Sequence, residues 1–163
     1  MKLILALAAI GGLALAPAAN AQVSCSDINR INTEGLDDFD GIAGEEIDDE
    51  HYKATYKLSG ADDCSLNYEW DSVYSCGYQF SSYASASDAR NSLASAIGSC
   101  LPGWQSKTVP AEAAPTDGWR TLTGTLYAGS GTYDDLEWAS VLEEHTDTSG
   151  THYHVWVELA YLW

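Results

Sequence analysis

Three imidazoles and a carboxylate in the last stretch of the chain have the types and spacing to hold a metal. His152 and His154 stand two apart, so on a strand both project to one face, which is how a His-x-His pair grips zinc. If a two-residue turn at Thr148-Ser149 closes a hairpin here, His145 faces His152 and Glu143 faces His154, gathering all four on one patch. A three-residue turn with a bulged Gly150 opposes His145 to Tyr153 instead, and the grouping is lost. The plainer reading carries more weight: the polar face of an outer strand whose histidines titrate near neutral pH.

Two other constellations offer carboxylates. Asp37-Asp38-Phe39-Asp40-Gly41 has the alternating oxygen ligands and glycine turn of a calcium loop. The register fails, because aligning Asp40-Gly41 to the fifth and sixth loop positions puts Asp38 at the third but Leu36 at the first and Ile47 at the twelfth. Asp37, Asp38 and Asp40 are therefore read as a solvated acidic surface that could contribute to binding. Glu143, Glu144 and Glu158 are candidates for a paired-carboxylate site of the glycosidase kind, and nothing in their spacing singles them out.

Aromatic residues supply a third kind of chemistry. The chain holds 6 Trp, 10 Tyr and 2 Phe. Trp104, Trp119, Trp138 and Trp156, if exposed, would suit sugar stacking or a protein hot spot; the alternative is ordinary packing on a pleated sheet. Motifs of hydrolytic or phosphate chemistry are absent: no Gly-x-Ser-x-Gly, His-Glu-x-x-His, Ser-x-x-Lys or phosphate loop occurs. Catalysis is left open with the weight against it, and no cofactor is expected.

The elements that must position these residues follow from periodicity. Ser24 stands three residues before Asp27, a helix start, with Ile28 and Ile31 one turn apart and Gly35 as the limit. Residues 34–50 carry nine acids and no Lys or Arg, and read as a solvated loop or weak helix. Tyr52, Ala54, Tyr56 and Leu58 alternate with polar residues as a strand does. The longest alternation then runs through Cys64, Leu66, Tyr68, Trp70, Ser72, Tyr74, Cys76, Tyr78 and Phe80, which is either one bent strand or a hairpin centred near Trp70 and Asp71. Ser85, with Asp88 three on, starts a helix whose face is Ala89, Leu93, Ala96, Ile97 and Cys100, stopped at Leu101-Pro102-Gly103. Residues 102–118, with three prolines, read as an irregular connection. Three strands complete the chain: Trp119 to Ala128, Leu136 to His145 and Thr151 to Trp163, joined by Gly129-Ser130-Gly131 and Asp147-Thr148-Ser149-Gly150.

The four cysteines are even in number and contain no Cys-x-x-Cys, which reads as two disulfides with three possible connectivities. In a hairpin centred on Trp70, Cys64 and Cys76 face each other, and bridging them is worth about 2 to 3 kcal/mol. Cys25 and Cys100 are then left to pair.

Charge and the first residues bound the partners. Residues 1–21 read as a secretory signal peptide, with Lys2, an apolar run from Leu3 to Ala16 and the small-x-small site Ala19-Asn20-Ala21. The residues before Cys25 lack a lipobox. The 163-residue chain has 7 Lys+Arg against 24 Asp+Glu, a net −17; taking away 21 residues, including Lys2, leaves 142 residues with 6 against 24, or −18. So few cations supply neither the phosphate contacts of nucleic-acid binding nor the basic patch that an anionic membrane attracts.

The expectation is one secreted α+β domain over 22–163: an antiparallel sheet of five or six strands on one main helix, in the order α-β-β-(β)-α-β-β-β, stapled by two disulfides. No internal repeat is evident. The primary functional expectation is an exported, periplasmic or secreted, non-catalytic binding domain, such as an inhibitor or immunity-type protein that engages a basic partner. A carbohydrate-binding or cell-surface module using Trp and Tyr is the alternative, and a small metal-dependent hydrolase the third. A basic protein or a glycan is the expected partner, with no nucleic acid and no membrane insertion after signal cleavage.

Overall fold

The structure, a computed structural model, describes residues 23–69, 71–113 and 115–162. The leader read in residues 1–21 and the hairpin tip at Trp70 lie outside the described residues.

Helix α1 (Cys25–Gly35) starts where its sequence signal stands. The Ser24 hydroxyl accepts from the Asp27 backbone N–H while the Asp27 carboxylate accepts from the Ser24 backbone, a reciprocal capping box. The acidic segment that follows forms strand β1 (Ala43–Asp48), paired with β2 (His51–Ala54). Strands β3 (Asp63–Asn67) and β4 (Ser72–Phe80) are a hairpin in which Cys64 lies directly opposite Cys76. Helix α2 (Tyr83–Cys100) is capped by Ser82 and buries Ala86, Leu93, Ala94 and Ile97. Strands β5 (Gln105–Val109), β6 (Trp119–Ala128), β7 (Leu136–Asp147) and β8 (Gly150–Tyr161) complete the chain.

All eight strands join one antiparallel sheet in the order β1-β2-β3-β4-β8-β7-β6-β5. Each half is a helix followed by a four-stranded meander, and the halves meet where β4 pairs with β8 from Ser72↔Tyr161 to Phe80↔Tyr153. Both helices pack on one face. There the core is built from Tyr74, Cys76 and Tyr78 of β4, Leu136, Trp138 and Leu142 of β7, and Val155, Val157 and Leu159 of β8, with Ile28, Ile31, Leu93 and Ile97 from the helices. Asn32 is buried in α1 and its Oδ1 accepts from Trp138 Nε1 at 2.6 Å, which ties the helix to β7.

This architecture corrects the expected one. The sequence predicts five or six strands on one main helix, whereas the described residues hold eight strands in one sheet and two helices, and the molecule is mostly β. Both additional strands lie at the edges. β1 falls inside the segment read as a loop over 34–50; an edge strand needs no apolar face, and four of its six residues, from Glu45 to Asp48, are exposed. β5 falls inside the connection read as irregular over 102–118, and all but Val109 of its residues are exposed. Charged and polar edges discourage pairing with another chain.

Two disulfides are present: Cys64–Cys76, and Cys25–Cys100, which joins α1 to the end of α2 across 75 residues. Such bridges belong to an oxidising compartment. Among the described residues no helix is long and apolar enough to cross a membrane.

Candidate binding site on the open face of the sheet

The register that buries one face of the sheet presents the other as a second, coherent set of side chains. In β8 the odd residues from Val155 to Leu159 meet the helices, so His152, His154, Trp156 and Glu158 face away from them. Opposite pairing carries Glu143 and His145 of β7, Ser75 and Gly77 of β4, Ser65 and Asn67 of β3, and His51 of β2 to that same side. Trp119 joins them because β6 pairs it with His145. A tight turn seats it: Gly118 has φ +84°, its carbonyl accepts from Thr146 N–H, and a Cβ there would stand 2.9 Å from the Thr146 oxygen.

At the seam between the two meanders this face holds a hollow of about 560 Å³. Its carboxylate wall is Glu143 and Glu158, its aromatic wall Trp119 and Trp156, and its far side His51, Asn67, Ser65 and Ser75. Trp156 lies across Gly77, its direct cross-strand partner; a Cβ on that glycine would come within 2.7 Å of the indole. The indole N–H of Trp156 donates to Glu143 Oε2 at 3.0 Å, and Thr121 Oγ1 donates to Glu143 Oε1 at 3.3 Å, so this carboxylate is oriented from both sides. Glu158 accepts from Ser75 Oγ at 3.1 Å. Burial pushes the Glu158 carboxyl above the usual carboxylate range; the Ser75 hydrogen bond opposes this and the negative charge of Glu143 adds to it. His51 is held by Asp48 at Nδ1, 2.5 Å, and by Asn67 at Nε2, 2.7 Å. Among the described residues no Lys or Arg lines the hollow.

The histidines form a second patch beside it. The β7–β8 turn has the two-residue geometry, so His145 faces His152 and Glu143 faces His154. The four groups nevertheless do not converge on one point. His145 stacks on Trp119 at 4.3 Å between ring centres, and His154 is tilted against the same indole at 4.8 Å. His152 Nε2 lies 2.9 Å from Ser149 Oγ and 3.9 Å from Asp147 Oδ1. Glu143 is engaged by Trp156 and Thr121. Burial, followed by the charges of His145 and His152, holds the His154 imidazole below its ordinary range. Among the described residues no group of three or more His, Cys, Asp or Glu side chains is placed to hold a metal ion.

The remaining sequence candidates disperse. Trp138 is fully buried on the helix face, so it offers no platform. Trp104 packs on Tyr133 at 6.0 Å, outside the hollow. Asp38 accepts from Ser72 Oγ at 3.2 Å, and its carbonyl accepts from Tyr68 at 3.0 Å, so it fastens its loop to the sheet, while Asp37 and Asp40 are exposed. Of the four tryptophans singled out by sequence, the hollow keeps Trp119 and Trp156. Glu158 is named by the sequence only with Glu143 and Glu144, as a carboxylate candidate without distinguishing spacing, and Ser75, Asn67 and His51 are not named as site residues. The first is legible once the β7–β8 register is adopted, since Glu158 then shares a face with Glu143. The other three depend on β4 lying beside β8, a pairing between residues about eighty positions apart that no local pattern announces.

Comparison of this chain with protein-family models, curated proteins and solved structures finds no match.

Proposed function

We propose that this is an exported, non-catalytic binding domain, periplasmic or secreted, that takes a basic macromolecular partner on the open face of its sheet. The observation that carries the reading is the hollow at the seam, walled by Glu143, Glu158, Trp119 and Trp156 and, among the described residues, lined by no Lys or Arg. A half-buried indole offers binding area at little entropic cost, and a carboxylate already oriented by its neighbours offers direction. The net charge of −17 adds long-range attraction for a cationic surface. An inhibitor or immunity-type role, masking a basic enzyme, is the form of this activity that the charge suits best.

Carbohydrate binding is the second reading, favoured by one observation: two indoles flank a hollow that also presents Asn67, Ser65 and Ser75 as hydroxyl partners. The separating experiment is capture from periplasmic and secreted extract, with the oxidised protein and its Trp119→Ala, Trp156→Ala variant as parallel baits. A basic protein retained by the first bait, released by salt and lost from the second is the expected result. Retention that ignores both salt and the indoles removes this reading.

A further inference from the structure

The hollow presents an electrostatic problem that the chain does not solve by itself. Two carboxylates share one wall, both are only partly exposed, and among the described residues no Lys or Arg lines the space around them. The cations of the sheet stand outside the lining: Lys53 is exposed on β2 opposite the lining Ser65, and Lys107 is exposed on the edge strand β5 opposite Leu126. Lys53 reaches Glu45 on the β1 edge at 4.0 Å, and Arg120 pairs with Glu144, whose place in β7 is on the helix side of the sheet. His51, the imidazole of the lining, already has Asp48 at one ring nitrogen and Asn67 at the other. A neutral ligand leaves the repulsion between Glu143 and Glu158 in place. A cation removes it.

Shape narrows the cation. Glu143 is held by Trp156 and Thr121, so it is presented in one orientation, and the flat, electron-rich indoles line the same space, Trp119 with His145 stacked on it at 4.3 Å and Trp156 laid over Gly77. A planar guanidinium satisfies both: its N–H fork matches a fixed carboxylate and its face stacks on an indole, whereas an ammonium is a hydrated point charge. We propose that the hollow is a receptor for an arginine side chain of the partner, its guanidinium laid against the Trp119 and Trp156 wall and donating to Glu143 and Glu158. This deepens, and rests on, the reading of the open face as a site for a basic partner. Because Glu158 gives up its proton more readily once a cation is beside it, binding strengthens as pH rises through the Glu158 titration and releases protons to the buffer.

The test uses the full oxidised protein with the Trp indole N–H signals as readout. The probes are N-acetyl-arginine amide, its uncharged isostere N-acetyl-citrulline amide, N-acetyl-lysine amide, poly-lysine and cellohexaose. Arginine amide is expected to shift the Trp119 and Trp156 signals, citrulline amide not, and lysine amide more weakly. Glu158→Gln, which keeps the side-chain shape, is expected to weaken arginine amide binding about tenfold or more, as the loss of one charge-assisted hydrogen bond does. The same substitution should flatten the pH dependence. Poly-lysine bound and released by salt, with indoles indifferent to arginine amide, overturns the arginine site and leaves the basic-partner reading standing. No binding of any of the three cationic probes overturns both. Cellohexaose shifting both indoles where arginine amide does not assigns the hollow to sugar and overturns the proposal.

Discussion

Glu158 shows at the scale of one residue how a site is kept against the interest of the fold. Its carboxyl is pushed above the usual range, first by burial and further by Glu143, so the folded state binds its proton more tightly than the unfolded chain does. The linkage sign is then set: the stability this group contributes is complete below the unfolded carboxylate pKa of about 4.3 and is lost as pH rises through the raised folded value. Glu158→Gln, which keeps the Ser75 contact but carries no charge, is expected to unfold at higher urea than the parent protein at neutral pH. The difference should vanish in acid, where the parent carboxyl is protonated in both states. Urea midpoints of the two proteins across that pH range check it, and a variant less stable than the parent at neutral pH would show that the ionised carboxylate is stabilised by its surroundings. Gly77 makes the complementary point, since its missing side chain is what lets Trp156 lie flat on β4 and hold Glu143.

At the scale of elements, α1 is an eleven-residue helix fixed by three unlike devices: the Ser24–Asp27 capping box, the Asn32–Trp138 hydrogen bond and the Cys25–Cys100 bridge. The bridge closes the longest loop, and on the chain-entropy model its loss from Cys25→Ala, Cys100→Ala costs about 4 kcal/mol. The expected signature is selective. Amide exchange should rise along α1 while the β7–β8 ladder, which needs neither helix end, stays protected; uniform exposure would mean that α1 and the sheet unfold as one unit. What could be read in the sequence follows the same division. Where one face is apolar and the other polar, the elements are legible: the start of α1 at Ser24, strands β6 to β8 and the Cys64–Cys76 pair stand where the pattern puts them, while α2 keeps Leu93 and Ile97 of its expected face but is capped by Ser82 rather than Ser85 and buries Ala86 and Ala94 instead of Ala89 and Ala96. β1 and β5 escape because edge strands have no buried face to impose a period, and acids or prolines around them mimic a loop. Half of the site was legible for a related reason. Trp119, Trp156 and Glu143 lie on the β6–β7–β8 meander, whose short turns fix the register, while the β4–β8 pairing that adds Ser75, Asn67 and His51 is set by packing against the helices.

At the scale of the whole molecule, the two helix-plus-meander halves meet along β4 and β8, and the hollow draws its lining from both. A ligand seated there would touch the native seam alone and so stabilise the folded state by mass action. The net charge acts in the opposite sense. Against 24 acids the described ion pairs are few: Lys53 with Glu45, Arg120 with Glu144, and two histidine pairs, His51 with Asp48 and His152 with Asp147. Most carboxylates thus repel one another across the surface, a cost that salt screens within a length of about 10 Å at 0.1 M. The urea midpoint is therefore expected to rise with sodium chloride at an unchanged slope, while affinity for a basic partner falls over the same range. These opposite trends separate the two roles of the charge, because screening that merely loosened the fold would weaken binding and stability together. A midpoint indifferent to salt would mean that the acids lie too far apart to repel, and the attraction offered to a basic partner would then have to come from Glu143 and Glu158 alone.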